Sequence, residues 1–551
     1  MNDIEIPQGK RTKFYRFFEI LPAFLSYSAL LLMVILSIIS PFWASVYLLT
    51  IVVTLLIKSI GIAYRTFGGY MKMKSAMKVD WSRRLYELSN PQEYKAGNKK
   101  DFHYHEHEKN IKLALDGKIT INAGSIFNAI IIAAYNEPYE VIKPTIESIL
   151  KTTFSKEKTF IVLAYEERGG EDIEKTAIRL QKEFKNKFYN FEIVKHPKSI
   201  PNEVVGKGGN ITYAGKFLAE YCKNNNIKYS DVIVTTLDSD NKPDKNYFDV
   251  VTYEYIVRND RKHFSYQPIS LFLNNIWDVP APMRVVATGN SFWNIVVSMR
   301  PHLIRNFASH SQSLDALVEM NFWSTRTIVE DGHQFWRSYF HFNGKYSVVP
   351  IMIPIYQDAV LSETLIKTLK AQFIQLRRWM YGASDVPYVA KNIFTKNRKV
   401  PFWDSLFKFI RLLEGHVSMV YQAPITAFGG WIPLLINASA SRSLISHQLP
   451  NIISIIQQIA TVGLFVAILI SLKMLPPKPA RYKKHRTLFM VLQWGLMPVT
   501  AICYGSASAF YSQTRLALGK YLDKFDVTQK GTVEDIAKAK EERKNKKMKL
   551  K

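Results

Sequence analysis

The chain has 551 residues, of which 47% are hydrophobic and 22% are charged, and its formal net charge is +27. It is too long for one ordinary domain, and this mixture of apolar and charged residues indicates membrane and soluble parts in one polypeptide. Only two cysteines are present, Cys222 and Cys503, which excludes a disulfide framework and a cysteine-based metal knuckle.

The first 78 residues contain two apolar stretches. Residues 20–39 and 43–57 each approach the ~20 residues that cross a bilayer, and Ser40-Pro41 separates them. We therefore predict a transmembrane helical hairpin within residues 1–78. Lysine and arginine residues precede and follow the pair, which places both flanks in the cytoplasm by the positive-inside rule.

Residues 79–400 are predicted to form a cytosolic domain. No stretch here is apolar enough to span a membrane, and short apolar strands alternate with amphipathic helices. This pattern is typical of an α/β domain with a largely parallel sheet. The predicted strands are Phe127–Ala134, Thr159–Ala164, Phe191–Val194 and Val232–Leu237.

Acidic residues follow several of these strands. Ligands of open α/β sheets bind beyond the carboxyl ends of the strands, and that is where the sequence places Glu137, Glu166, Glu167, Asp238 and Asp240. In an extended strand, side chains two positions apart point to the same side, so Asp238 and Asp240 are expected to converge on one point beyond the strand end. Two such oxygen ligands suit Mg²⁺ or Mn²⁺ carrying substrate phosphates. A polar loop after a core strand is the plainer alternative.

A lysine lies among glycines in Val205-Gly-Lys207-Gly-Gly-Asn210. Glycines permit close backbone approach and a lysine suits a phosphate, although the spacing is not that of a Walker A loop. A plain turn is the alternative interpretation.

A short apolar run ends in Glu330-Asp331. An aspartate beside a bound metal and phosphate is suited to act as a general base. Asp331 is equally suited to be the N-cap of a helix through Gln334 to Phe340, and the two roles are compatible.

A predicted amphipathic helix ends in Gln375-Leu-Arg377-Arg378-Trp379. An arginine and a tryptophan at a helix end are suited to clamp a diphosphate and to stack on a sugar. The alternative is a basic helix against lipid headgroups, with Arg377 facing the lipid and Arg378 facing inward.

These motifs together resemble the family 2 membrane glycosyltransferases, which include cellulose synthase and hyaluronan synthase. The resemblance rests on Asp238-Ser239-Asp240, Glu330-Asp331 and Gln375-x-x-Arg378-Trp379, in this order within an α/β domain between membrane helices. Tyr135-Asn136-Glu137 and the Lys207 loop also match. The resemblance covers roughly residues 127–530 and implies a GT-A nucleotide-diphospho-sugar transferase fold.

The resemblance also implies the residues that bind the donor. Tyr135 and Glu137, with Glu166 or Glu167, would line the nucleotide base and ribose. Lys207 would contact the diphosphate. Asp238 would help to hold the donor and Asp240 the metal ion, Mg²⁺ or Mn²⁺. The pair Glu166-Glu167 departs from the aspartates that are more usual in the family at this strand end.

Further residues are implied for the reaction and the acceptor. Asp331 would be the general base, with inversion at the anomeric carbon. The residues implied for diphosphate and acceptor binding are Gln375, Arg378, Trp379, Glu330, Asn290 and Ser291.

The C-terminal part returns to the membrane in residues 401–515. Phe402–His416 is predicted to be an interfacial helix, and residues 417–436 and 452–472 to span. Residues 488–511 are apolar but contain Pro498, and we expect a re-entrant or proline-broken segment. A basic cytosolic tail, residues 516–551, would follow, because Phe525, Val527, Thr528 and Lys530 resemble the gating loop of cellulose synthases, which must reach the cytosolic active site.

Two other functions are weaker interpretations. His103, His105 and His107 would share one face of a strand, and zinc binding is one hypothesis, although a polar edge strand or loop is the simpler one. Nucleic-acid binding is not expected, because the basic runs flank apolar stretches instead of mixing with aromatic residues on the soluble domain.

The predicted function is that of an inverting, metal-dependent glycosyltransferase in the cytoplasmic membrane. It would transfer a sugar from a nucleotide-sugar donor, expected to be a UDP-sugar, to a growing polysaccharide. Single transfer to a lipid or polyprenyl-phosphate acceptor is one alternative, and a non-catalytic membrane scaffold or nucleotide-sugar sensor is another. Membrane lipids are expected partners, and a partner membrane protein is left open.

Overall fold

The computed structural model describes residues 5–483 and 485–522. These residues form an α/β domain flanked by long apolar helices, as predicted. The gating-loop-like residues Phe525, Val527, Thr528 and Lys530 lie outside the described residues, as does most of the basic tail.

The strands of the α/β domain are rich in β-branched and aromatic residues, which suits a buried sheet. In chain order they are β1 (Phe127–Ala134), β2 (Thr159–Glu166), β3 (Asn190–His196), β4 (Val232–Asp238), β5 (Lys242–Pro243), β6 (Phe264–Leu271), β7 (Ser311–Ser313) and β8 (Ser347–Tyr356). Each of the four strands predicted above is present.

In the part of the chain that the structure describes, these strands form one sheet in the order β3-β2-β1-β4-β7-β6-β8-β5. The pairs β3-β2, β2-β1, β1-β4 and β6-β8 are parallel, whereas β7 is antiparallel to β4 and β6. The register pairs Ala133 with Asp238 and Ala134 with Tyr165. The carboxyl ends of β1, β2 and β4 therefore meet at one edge.

Helices cover both faces of this sheet and connect it to the apolar helices. Those of the soluble domain are α3 (Trp81–Ser89), α4 (Tyr104–Leu115), α5 (Tyr139–Leu150), α6 (Glu171–Phe184), α7 (Lys207–Asn224), α8 (Tyr247–Ile256), α9 (Ala281–Ser298), α10 (Leu314–Glu319), α11 (Glu330–His341), α12 (Leu365–Met380) and α13 (Asp385–Ile393). The apolar helices are α1 (Lys13–Ile39), α2 (Pro41–Ala76), α14 (Phe402–Phe428), α15 (Ile432–Ile436), α16 (Leu444–Met474), α17 (Arg486–Leu492), α18 (Met497–Thr500) and α19 (Ala507–Ala517).

Five helical segments of the described residues are long and apolar enough to cross a membrane, which supports a multi-pass membrane protein. They are residues 13–39, 41–76, 402–436, 444–474 and 486–517. The first two are separated at Ser40 as predicted. The predicted interfacial helix at Phe402–His416 is not separate, because α14 runs unbroken into the following apolar stretch.

The last apolar segment is irregular on both sides of Pro498. A 3₁₀ turn at Gln493–Leu496 precedes α18, and a π-helix at Ala501–Ser506 precedes α19. Its first residue, Arg486, donates to the carbonyl of Trp277, which precedes α9, at 2.9 Å. At its other end the Leu516 carbonyl accepts from Arg16, near the start of α1, at 3.1 Å. The segment thus begins and ends on the side of the α/β domain.

The histidine-rich stretch is helical, so the prediction of a strand there is wrong. His103 precedes α4, and His105 and His107 lie in its first turns. His107 is buried between Tyr253 and Glu87, at 2.9 Å from each. Among the described residues, no three His, Cys, Asp or Glu side chains are arranged to hold a metal ion.

Candidate active site

A buried lysine surrounded by carboxylates lies at the carboxyl edge of the sheet. Lys207 Nζ is 2.9 Å from Asp238 Oδ1, 3.4 Å from Asp331 Oδ2 and 3.9 Å from Glu330 Oε1. The three carboxylates come from the end of β4 and the start of α11, and Lys207 is the first residue of α7. The fold thus gathers residues that are up to 124 positions apart in the sequence.

The electrostatics of this cluster follow from its burial. Burial disfavours the charged ammonium of Lys207, but the attraction of Asp238, Asp331 and Glu330 outweighs it and raises the pKa of the lysine. Lys207 is therefore charged at neutral pH. Burial, assisted by repulsion from Asp331, raises the pKa of Glu330 to about 8, and Lys207 and Arg378 act in the opposite direction.

Asp331 has a buried carboxylate oxygen without a hydrogen-bond partner among the described residues. It lies in the first turn of α11 and is not the N-cap, which is Val329, so the capping prediction is wrong. Its Oδ1 atom is buried and accepts no hydrogen bond from the residues that the structure describes. His310 Nδ1 lies 3.9 Å from this oxygen. Because buried oxygens are normally hydrogen-bonded, this one indicates a place for a ligand hydroxyl.

His310 itself is neutral and structural. It is fully buried, which lowers its pKa. Its Nδ1 contacts the Phe307 carbonyl at 2.9 Å, and its Nε2 accepts from the indole of Trp323 at 3.3 Å. No sequence motif marked this histidine.

The glycines after Lys207 lie in a helix, whereas the sequence predicted a loop or a plain turn, and they permit close packing there. Residues 207–210 are helical. A Cβ on Gly208 would lie 2.3 Å from the Ser324 carbonyl oxygen. In the same turn the Asn210 amide donates to the Ala134 and Ala164 carbonyls, at 3.3 and 3.0 Å. Asn210 therefore joins the ends of β1 and β2 to α7, a role that the sequence did not reveal.

Asp238 and Asp240 do not share a strand face, because β4 ends at Asp238 and the chain turns at Ser239. The argument from strand alternation therefore fails, although both carboxylates remain at the same strand end. Asp238 is partly exposed beside Lys207. Asp240 is buried, and its Oδ2 accepts from the backbone N–H of Asp358 at 3.1 Å.

A second group of predicted residues lies at the ends of β1 and β2. The Arg168 guanidinium stands 4.9 Å from the ring centre of Tyr135 and donates from Nε to Glu166 at 2.6 Å. Burial raises the pKa of Glu166, against the effect of Arg168. Glu137 accepts from the backbone N–H of Tyr135 at 2.7 Å. This group forms an aromatic and charged surface of the kind that suits a nucleoside.

Glu167 turns away from this surface. It accepts from the backbone N–H of Lys198 at 2.9 Å and so ties the loop after β2 to the loop after β3. Gly169 permits this loop to pass close to β1, since a Cβ there would lie 1.7 Å from the Tyr135 carbonyl oxygen.

The residues on α12 divide between two surroundings. Arg377 points to α19, where it contacts the Tyr511 hydroxyl at 3.4 Å. Arg378 instead acts electrostatically on Glu330. Trp379 lies 5.8 Å from the ring of Phe272, and Gln375 accepts from Gln372 at 3.1 Å.

Asn290 and Ser291 lie in the middle of α9. Ser291 is buried and accepts from the backbone N–H of Phe272 at 2.9 Å. Through Phe272 it is connected to Trp379 rather than to the carboxylate cluster.

Neither a family model nor a curated protein matches the chain. Among solved structures, it is similar to the mannosyltransferase PcManGT from Pyrobaculum calidifontis in complex with GDP-Man and Mn²⁺, with 12% identity, a TM-score of 0.38 and coverage of 84% of this chain and 100% of that one. It is also similar to S. aureus TarS 1–349 in complex with UDP-GlcNAc, with 13% identity, a TM-score of 0.34 and coverage of 61% and 90%.

A third similar structure is GalNAc-T7 with UDP, GalNAc and Mn²⁺, with 10% identity, a TM-score of 0.31 and coverage of 55% of this chain and 57% of that one. At these identities and scores, the likenesses are too distant to transfer a function to this chain.

Proposed function

We propose that the chain is an inverting, metal-dependent membrane glycosyltransferase of family 2 that transfers a sugar from a nucleotide-sugar donor. The observation that carries this proposal is the cluster of Lys207 with Asp238, Glu330 and Asp331 at the carboxyl ends of the strands. This cluster would bring together a cation that contacts a donor phosphate and a carboxylate that accepts a proton.

The donor would occupy the edge of the sheet between two groups of residues. Tyr135, Glu137 and Glu166 would surround the nucleoside, and Lys207 and Arg378 would neutralise the diphosphate as it leaves. Glu167 is less suited to contact the base, because its carboxylate binds the Lys198 backbone.

The carboxylates of Asp238 and Asp240 fit Mg²⁺ or Mn²⁺, because both supply hard oxygen atoms at one strand end. The donor phosphates would complete the coordination, since no third acidic or histidine ligand joins them among the described residues. Such an ion would supply further positive charge at the diphosphate.

Asp331 would remove the proton from the acceptor hydroxyl. Its Oδ1 atom is buried and accepts no hydrogen bond from the described residues, so that an incoming hydroxyl would satisfy it. The oxygen of that hydroxyl attacks the anomeric carbon while the bond to the diphosphate breaks, and one such displacement inverts the configuration. Lys207 Nζ lies 3.4 Å from Asp331 Oδ2 and places a positive charge beside this carboxylate.

The acceptor would be reached from the membrane side through Trp379 and the residues near Phe272. A growing polysaccharide is the acceptor that the Gln-x-x-Arg-Trp motif favours. Single transfer to a lipid or polyprenyl-phosphate is the second candidate. Both ends of the last apolar segment lie near the α/β domain, which would leave four segments to cross the membrane and to surround a growing polymer. The domain would face the cytoplasm.

The test is donor turnover by the purified full-length chain in lipid nanodiscs. UDP-glucose, UDP-N-acetylglucosamine, UDP-galactose and GDP-mannose are each assayed with Mg²⁺ or Mn²⁺ for release of the nucleoside diphosphate. We expect one donor to turn over, and Asp331→Asn to reduce transfer at least 10³-fold while donor binding persists. Asp240→Asn should weaken metal-dependent donor binding itself. Failure of every donor both to bind and to turn over would refute the proposal, and product length separates polymer formation from single transfer.

A further inference from the structure

A stripe of polar side chains runs along α16, on the face that points away from the rest of the chain. Its members recur every three or four positions, and all are exposed: His447, Asn451, Ser454, Gln458 and Thr461. At 100° per residue, these five positions fall within an arc of about 80°. The stripe contains no Asp, Glu, Lys or Arg.

The opposite face of α16 is the one that packs within the chain. Ser446, Leu449 and Ile453 are buried there, against α2 and α14. α16 is also the least covered of the five apolar segments, with 6% of its most apolar window buried against 28% for α1. The polar stripe thus lies on a helix face that the other described residues do not cover.

The stripe lies at the depth of an apolar part of the neighbouring helix. Ser446 Oγ is 3.2 Å from Ser45 Oγ near the start of α2, and Gly463 lies beside Ala63 further along. The two helices therefore run parallel, and the stripe lies at the same depth as residues 46–61 of α2. Residues 46–57 of α2 carry no charge. Lipid hydrocarbon at this depth offers no hydrogen bonds to polar side chains.

Hydrogen bonds within the chain satisfy only some of the donors and acceptors of the stripe. Asn451 donates to Gln448 at 3.0 Å, and Gln458 reaches Ser454 only at 3.5 Å. Gln457, by contrast, is turned towards α14 and donates to the Thr426 carbonyl at 2.7 Å. The Asn451 and Gln458 amides therefore keep hydrogen-bonding capacity that the described residues do not use.

We propose that this stripe is the contact surface between two copies of the chain in the membrane. A two-fold axis along the membrane normal would place two α16 helices in parallel, with Asn451 facing Asn451 of the second copy and Gln458 facing Gln458 of the second copy. An amide both donates and accepts, so identical amides satisfy each other without any charge, and polar side chains are known to hold membrane helices together. This proposal is independent of the transferase proposal.

The test is oxidative cross-linking of the full-length chain in its native membrane, in a Cys503→Ser background. Gln458→Cys should form a covalent dimer at least fivefold more than Ile459→Cys. Ile459 is the matched control, since it is exposed on the same helix but lies about 100° around the axis. Equal cross-linking at the two positions would overturn the proposal.

Native mass spectrometry in nanodiscs provides the second measurement. The wild-type chain should be dimeric, the Asn451→Leu/Gln458→Leu variant monomeric, and the control Ile455→Leu/Ile459→Leu dimeric. A monomeric wild-type chain, or a dimer that survives the loss of both amides, would refute self-association.

Discussion

Gly208→Ala is predicted to disturb the candidate active site through packing alone. The added Cβ would lie 2.3 Å from the Ser324 carbonyl oxygen and 3.3 Å from Glu330 Cβ. Since Cβ contacts below 3.0 Å essentially do not occur, the two backbones must separate by about 0.7 Å or more. The Ser324 loop leads into α11, so the displacement reaches Asp331.

The magnitudes follow from these distances. Overpacking of a tight contact costs about 1–3 kcal/mol, and the better helix propensity of alanine offsets about 1 kcal/mol of this. The expected net loss of stability is therefore at most about 2 kcal/mol. A displacement approaching 1 Å at a reacting group lowers turnover by about 10²-fold, so activity should fall much more than stability.

The assays are thermal unfolding and donor turnover of the variant in nanodiscs. Gly415→Ala is the matched control: it lies within helix α14, and its Cβ would meet nothing within 4 Å. This control should be as stable as the wild type or more so, and equally active. A Gly208→Ala variant with unchanged turnover would refute the argument that this glycine sets the position of α11.

Three further predictions concern charges of the cluster and its surroundings. Lys207→Met should lower donor turnover at least 100-fold and lower the melting temperature, because three neighbouring carboxylates lose their cation. Folding raises the pKa of Glu330 from 4.5 to about 8, so the folded state loses stability relative to the unfolded state as the pH rises through this range. The melting temperature of the wild type should therefore fall between pH 5 and 8, and Glu330→Gln should make this fall smaller. Glu5→Gln should lower the free energy of unfolding by about 2 kcal/mol, because Glu5 forms an ion pair with the buried Arg337 at 2.6 Å. An unchanged melting temperature would show that this contact of the N-terminal segment does not stabilise the domain.

Local patterns were sufficient for much of the fold. The run Phe127–Ala134 was predicted with both of its bounds, because a buried strand of a parallel sheet needs a continuous apolar sequence and β1 has one. The break at Ser40-Pro41 was equally readable, since proline begins a helix and cannot continue one. The histidine stretch failed for the opposite reason, because alternation over a few residues does not distinguish a strand from the first turn of a helix.

The sequence by itself determined which residue types stand at the strand ends, because the change from an apolar run to carboxylates is a local property of the chain. Only the tertiary structure decided what these residues contact. It directed Glu137 and Glu167 to backbone N–H groups and buried Lys207 among three carboxylates. It also revealed Asn210 and His310, which no local pattern marks. Such contacts depend on the pairing of strands and on the packing of α7 and α11 across long separations in sequence, and neither is encoded in a short stretch of residues.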